Sequence, residues 1–345
     1  MAGRNDDSPT ISVVVCTRDR PQQLDQCLAA LSRLEYSAYD VVVVDNAPRN
    51  ERGQDVALRW GVRYLTEPVG GLSRARNRGA RACETEIVAY IDDDAVAEPD
   101  WLSALAREFE DPLVAVATGA IRPSRSRGDA AHKPDGNVAA ETNRRQRRVV
   151  DRATPGWFEI ANFGEIGDGS NMAFRRSVFE FWPGFEESLG RGTVLSGGEE
   201  HYAFFTLIER GYRVVYNPLA VVRHPDPSTA EQARRRHLDL VAITTAYIAR
   251  LAVEHPSCRK ALRQYIFDRL RGIARPWTTR AGRTGAGIAP RSLTLLAMFS
   301  GLRIYLRSRR ARKIPHALRR VPANNLERTP APTVALHDET FPLES

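Results

Sequence analysis

The sequence predicts an α/β protein, with a mostly parallel sheet flanked by helices and a helical, basic C-terminal extension. Three observations carry this expectation. Up to residue 94, short β-branched runs alternate with helical patterns, which is the arrangement of βαβ units in a parallel sheet. One of those runs closes on three consecutive carboxylates, Asp92-Asp93-Asp94, at the strand edge where open α/β sheets bind ligands. Charge is also divided. Residues 231–345 carry 22 Lys and Arg against 8 Asp and Glu, whereas the preceding 230 carry 28 against 34. The net +8 therefore hides an acidic larger part joined to a strongly basic end.

The elements follow in order. Thr10 to Cys16 is a buried strand by its β-branched run, and Pro21 opens a helix with Leu24, Cys27, Leu28 and Leu31 at i, i+3, i+4, i+7. Val41 to Val44 is a second buried strand ending at Asp45-Asn46, and Val62 to Leu65 a third. Gly70-Gly71 leads into an Ala- and Arg-rich helix, Leu72 to Ala82, and Ile87 to Ile91 is the strand that delivers the triplet. Val114 to Thr118 reads as another strand. Residues 122–152 are Arg-, Asp- and Gly-rich without apolar periodicity and read as a mobile surface loop. Gly169 to Phe174 forms a strand followed by a helix from Arg176. Gly197-Gly198-Glu199-Glu200 opens a helix over His201 to Arg210, before a strand at Tyr212 to Tyr216. From Ala230 the pattern is helical, broken by Pro256, Pro276 and the Gly/Thr-rich stretch 279–290.

Several classes are excluded. The four cysteines show no CxxC spacing, which fits reduced, buried thiols rather than a disulfide framework or zinc site. Met1 to Pro9 lacks an apolar signal-peptide core, and Leu238 to Val253 carries Asp239 and Arg250, so it reads as a buried helix. The expected location is cytoplasmic. No Gly-x-Gly-x-x-Gly or P-loop follows the first strand, where Cys16-Thr17-Arg18-Asp19-Arg20-Pro21 stands instead.

The triplet sets the chemistry. Side chains alternate along a strand, so Asp92 and Asp94 emerge on one face and Asp93 on the other. Carboxylates that close repel unless a cation neutralises them, and hard divalent ions bridge such oxygens to phosphates. Around the triplet an ordered set appears: a strand ending in Thr17-Arg18, a strand ending in Asp45, and Gly70-Gly71-Leu72-Ser73-Arg74-Ala75-Arg76-Asn77 fifteen residues ahead of Asp92. Gly198-Glu199-Glu200 and Val221-Val222-Arg223-His224 follow. Over about residues 10–225 this order closely resembles the family 2 glycosyltransferases of GT-A fold, with Asp92-Asp93-Asp94 as the DxD motif.

The resemblance implies a metal-dependent inverting transfer from a nucleotide-sugar donor, most commonly a UDP-sugar, to a glycan, lipid-linked or small-molecule acceptor. It makes Asp94 and Asp92 ligands of Mn²⁺ or Mg²⁺, with Asp92 also near the ribose, and lets His224 complete the metal shell. Asp93 counts with the donor-binding residues although strand geometry turns it away. Thr17, Arg18 and Asp45 take nucleobase or ribose positions, Arg74 and Arg76 reinforce the phosphate site, and Asn77 and Asn171 line the donor pocket. Glu200 occupies the general-base position, with Glu199 beside it; the family usually has an aspartate at the second place, so the reach differs by one methylene. The implied division is a disordered 1–9, a GT-A catalytic domain over 10–230, a helical basic region over 231–320 and a disordered tail over 321–345.

Two other readings share features with this one. A nucleotidyltransferase would use the same sheet and metal aspartates but needs a Gly-rich, basic turn after the first strand, absent here. A non-catalytic sugar-nucleotide-binding protein on anionic membranes would account for the basic end but leaves the triplet and Glu200 without a task. Leu295, Phe299, Leu302 and Leu306 form a stripe at i, i+4, i+7, i+11, with Arg303, Arg307, Arg309, Arg310, Arg312 and Lys313 crowding its polar side. Such a helix either lies peripherally on the inner face of the cell membrane or packs on the catalytic domain. Nucleic acid is not indicated, since no aromatic-interleaved basic platform is present.

Overall fold

The computed structural model describes residues 8–124, 146–163, 166–225, 229–274 and 291–311. Expectations for the extreme N-terminus, the middle of 122–152, the breaks at Pro276 and 279–290, Arg312 and Lys313, and the tail 321–345 lie outside these residues.

The first half builds as its hydrophobic pattern dictates. Strands β1 (Ile11–Thr17), β2 (Tyr39–Asn46), β3 (Arg63–Glu67) and β4 (Ile87–Asp92) are parallel in the order β3-β2-β1-β4. Helices α1 (Pro21–Leu31), α2 (Arg52–Arg59) and α3 (Leu72–Ala82) connect them. Alternation sorts the core onto two faces. Val13, Val15, Ala89 and Ile91 pack with α1 and α4 (Trp101–Ala106), while Val14, Val44, Val88 and Tyr90 pack with the opposite layer.

Beyond β4 the sheet changes direction. β8 (Asn171–Arg175) runs antiparallel between β4 and β6 (Val114–Pro123), and β9 (Arg213–His224) lies parallel to β6. Two reversals restore the direction, so β9 ends at the same edge as β4. Two short strands, β5 (Val96–Ala97) and β7 (Arg148–Val150), pair antiparallel with opposite ends of β9. β7 falls inside the segment expected to be a mobile loop, so residues 148–150 of that segment are a strand instead. The helix expected from Arg176 is a single 3-10 turn, Arg176–Glu180.

Helices α5 (Trp157–Asn162) and α6 (Glu199–Glu209) cover the second face. The C-terminal region supplies α7 (Ala230–Glu254), α8 (Arg259–Ala274) and α9 (Arg291–Ala311). No helix among the described residues is long and apolar enough to cross a membrane.

Candidate active site

β1 has β2 on one side and β4 on the other, so chain order reverses there and opens a crevice at the carboxyl ends of the strands. Register places Thr17 beside Asp45, and Cys16 beside Asp92. The turn after Asp92 feeds directly into β5, which pairs Val96 with Arg223 and Ala97 with Val222. That short strand is what carries the triplet to the end of β9. A 2.6 Å ion pair between Arg223 Nε and Glu98 Oε1 secures it.

The triplet splits as expected, although β4 ends at Asp92 and Asp93 and Asp94 stand in the turn that follows. Asp93 is buried; it accepts from Thr17 Oγ1 at 2.7 Å and from Arg20 Nη1 at 3.1 Å. Asp92 and Asp94 retain 26% and 21% side-chain exposure and face His224. His224 Nε2 stands 3.0 Å from Asp94 Oδ1 and 3.7 Å from Asp92 Oδ2. One ligand atom from each of the three falls within 4.8 Å of the others. Hydrogen bonding to Asp92 and Asp94 pushes the imidazole up to about 10, and its bond to His224 holds Asp94 below the usual carboxylate range. His224 thus stands between two acids, at the place a cation would take. Two oxygens and an imidazole nitrogen converging from two strand ends are a donor set that fits a divalent ion.

Arg20 bridges Asp93 and Asp94, its Nη1 also lying 3.1 Å from Asp94 Oδ2. Sequence reasoning missed it, although its signal was a cation in the turn directly after the first strand. Asp45 accepts from Tyr64 OH at 3.0 Å through Oδ2, while its Oδ1 is buried without a partner. Burial raises its pKa. A buried acceptor lacking a donor at a crevice edge is a place for a ligand N–H or O–H. Arg18 is exposed beside Gly70, its Nη1 3.5 Å from where a Cβ on that glycine would stand.

The second acidic group begins α6. Gly198 holds a left-handed φ of 83°, and a Cβ there would meet the Tyr247 ring at 3.1 Å, so glycine is required twice over. Glu199 and Glu200 follow in the first helical turn, where the helix dipole favours negative charge. Glu199 is buried and paired with Arg76 Nη1 at 2.9 Å. Burial and the adjacent Glu200 push its carboxyl up. Burial acts the same way on Glu200, but the charge of His201, with Nδ1 3.5 Å from Glu200 Oε1, outweighs it and holds that carboxyl low. Glu200 Oε2 is buried without a donor.

Three expected donor contacts take other roles. Arg76 is 3% exposed; besides Glu199 it donates from Nη2 to Gly169 O at 2.9 Å and lies 3.9 Å from Asp92. It braces the two acidic groups instead of presenting its fork to a phosphate. Asn77 exchanges two 2.8 Å hydrogen bonds with the Phe185 backbone, tying α3 to the loop before α6. Asn171 is fully buried: Trp101 Nε1 donates to its Oδ1, and its Nδ2 donates to Ala120 O and Ala220 O. Both amides are spent on architecture. Arg74 is part-exposed and paired with Glu187 at 2.8 Å.

Comparison with known proteins agrees with this geometry. The match to the family described as Glycosyl transferase family 2 spans residues 12–182. Among similar proteins is the glucosyl-dolichyl phosphate glucuronosyltransferase of Haloferax volcanii, 29% identical over 231 residues, covering 62% of this chain and 68% of that one. Another is the pre-mycofactocin glycosyltransferase of Mycobacterium tuberculosis, 27% identical over 253 residues, covering 71% of this chain but only 48% of that protein. In fold, the chain resembles the mannosyltransferase PcManGT from Pyrobaculum calidifontis, solved with GDP-Man and Mn²⁺, with a TM-score of 0.56 at 20% identity over 89% of this chain and 84% of that one. With its α/β sheet, its strand-end acids and this sequence match together, the chain belongs to glycosyl transferase family 2 and has the GT-A fold.

Proposed function

We propose that the protein is a metal-dependent, inverting glycosyltransferase that moves a sugar from a nucleotide-sugar donor, a UDP-sugar, to the hydroxyl of a lipid-linked or polysaccharide acceptor. The observation that carries this reading is the meeting of Asp92, Asp94 and His224 at one strand edge, linked through Arg76 to the Glu199-Glu200 helix start. The lipid-linked acceptor is suggested by the Haloferax relative, named for action on a dolichyl phosphate sugar.

Asp92, Asp94 and His224 would hold Mn²⁺ or Mg²⁺, and the imidazole favours Mn²⁺ over the all-oxygen preference of Mg²⁺. When bound, such an ion supplies Lewis-acid neutralisation of the diphosphate leaving group. The protein's own groups do the rest. Asp45 Oδ1 accepts from the nucleobase or ribose, and Asp93 keeps Thr17 and Arg20 in place behind the ligand carboxylates. Glu200, ionised near neutrality and with Oε2 free of any donor, takes the proton from the acceptor hydroxyl. Glu199 is committed to Arg76 and positions its neighbour. A single displacement of this kind inverts the anomeric centre.

The test is a panel of sugar nucleotides scored by thermal shift and turnover, with Mn²⁺ and with chelator. A bound donor at about 100 times its Kd stabilises by about 2.7 kcal/mol. Metal-independent turnover would overturn the metal assignment, and an NMR product retaining the donor's configuration would overturn inversion. Binding with no transfer to any acceptor would favour the non-catalytic reading.

A further inference from the structure

The basic C-terminal region presents an apolar face whose position the sequence could not decide. Helix α9 packs along α7, but not through its leucines. Gly301, Tyr305 and Ser308 form the buried side. The backbones approach closely there: a Cβ on Gly301 would lie 2.4 Å from Ala242 O and 2.7 Å from Thr245. The stripe of larger side chains is turned outward. Leu295, Phe299, Leu302 and Leu306 are 62%, 64%, 46% and 53% exposed, and no described residue covers them. An apolar row of this kind on one helix is uncommon on a free surface.

Its flanks name the occupant. Arg291–Ala311 contains five arginines and no acidic residue. Arg303, Arg307, Arg309 and Arg310 are all exposed. At 3.6 residues per turn, Arg309 borders the stripe on one side and Arg303 and Arg310 on the other. An apolar row edged by guanidinium groups matches a bilayer whose acyl layer lies beneath anionic headgroups. The basic flanks repel cationic surfaces and give no advantage on a neutral one.

The connection to the site is short. α7, which α9 packs against, places Tyr247 against Gly198 and Ile243 against Gly197, the turn that opens the Glu199-Glu200 helix. We infer that α9 docks the protein on an anionic lipid bilayer through Leu295, Phe299, Leu302 and Leu306, with its arginines on the headgroups. This deepens the proposed function by naming the surface from which a lipid-linked acceptor is drawn, and it rests on that reading only for the acceptor.

The experiment is co-sedimentation of the full chain with vesicles of phosphatidylcholine alone, or of phosphatidylcholine and phosphatidylglycerol in equal parts, without donor or acceptor. Two variants accompany it: Leu295→Gln/Phe299→Gln/Leu302→Gln/Leu306→Gln, and Arg303→Glu/Arg307→Glu/Arg310→Glu. The parent should partition onto the anionic vesicles, and each variant should lose about tenfold or more in partitioning at unchanged melting temperature. Equal partitioning onto both vesicle types, or parent-like binding by the first variant, would overturn the inference. So would a parent that dimerises in solution and a first variant that does not, because the stripe would then belong to a second copy. Because no transfer is measured, failure here leaves the glycosyltransferase reading standing, and failure of the turnover panel leaves this docking result standing.

Discussion

The carboxylates at the end of β4 and those at the start of α6 are both clustered acids, yet they are held on different terms. Asp92 and Asp94 stay part-exposed, and the cations beside them, Arg20 and His224, come from loop and strand ends. Glu199 and Glu200 are shielded, and their partners Arg76 and His201 sit on helices. An open cluster with side-chain cations at its rim can exchange them for a bound ion. A closed cluster holds its carboxylates against fixed protein partners while the ligands change. The contrast fits the proposed division, with leaving-group chemistry at the strand end, proton transfer at the helix start and Arg76 spanning the two.

The largest effect should come from breaking the open cluster. Asp94→Asn removes a proposed metal oxygen and a partner of His224, and several kcal/mol of transition-state stabilisation corresponds to about 10⁴-fold in turnover. Its melting temperature should stay within a few degrees, because a part-exposed ion pair contributes little to stability. Steady-state assays with Mn²⁺ check this, and full activity in the variant would dissolve the distinction. Glu200→Gln should follow, with a loss of about 10²–10⁴-fold in turnover and donor binding nearly unchanged, as removal of a general base requires. A Glu200→Gln enzyme that instead loses donor affinity would move Glu200 to the donor side.

The open cluster is legible in the sequence because the apolar run that ends on the triplet is a local strand signal; β4 closes at Asp92, and the turn after it, held through Thr17 and Arg20, sets Asp93 apart from Asp92 and Asp94. Of the parallel block, β1, β2 and β4 are legible for the same reason, as apolar runs rich in β-branched residues; β3, Arg63–Glu67, shows only a short one. The closed cluster is less so. Arg76 shares the helix face of Leu72, Ala75 and Gly79 while Arg74 lies on the opposite side, so the period separates the two, but only the packing of α3 against the segment before α6 gives Arg76 its partner Glu199. Asn77 and Asn171 look like ligand groups in sequence; partners up to 108 residues away make them braces. β5 and β7, at two and three residues, are too short to show a period. In α9 the apolar stripe is visible in sequence, but the face that packs is built on Tyr305 together with Gly301 and Ser308, the last two of which hydrophobicity alone places outside.

The bridge between the clusters offers the next test. Arg76→Met leaves Glu199 buried without its partner, and breaking a buried pair on one side costs about 3–5 kcal/mol. Adding Glu199→Met should restore much of that loss, since both charges then disappear together. Chemical denaturation of the two single variants and the double variant measures the coupling. An arginine serving the phosphate instead would give another pattern: Arg76→Met would spare stability and weaken donor binding alone.

The smallest effect expected concerns Asp45, which belongs to the open side by position but is buried like the helix pair. Its Oδ1 has no donor, and burial raises its pKa above the ordinary 3.8. A carboxyl raised in this way binds its proton more tightly folded than unfolded, so stability falls as pH rises from 3.8 through the folded value. Above that window the full cost of the buried charge is present; below it, none. Asp45→Asn removes the charge, keeps an acceptor for Tyr64, and should stabilise the ligand-free protein by about 1 kcal/mol at neutral pH. The gain should shrink as pH is lowered toward 4. Nucleotide binding should weaken in the same variant, because an amide oxygen in place of Oδ1 is a poorer acceptor than a carboxylate and an amide NH₂ there accepts nothing. Melting curves across pH, with and without UDP, separate the two effects. A variant less stable than the parent at every pH would mean that the charge of Asp45 supports the fold instead of waiting for a ligand.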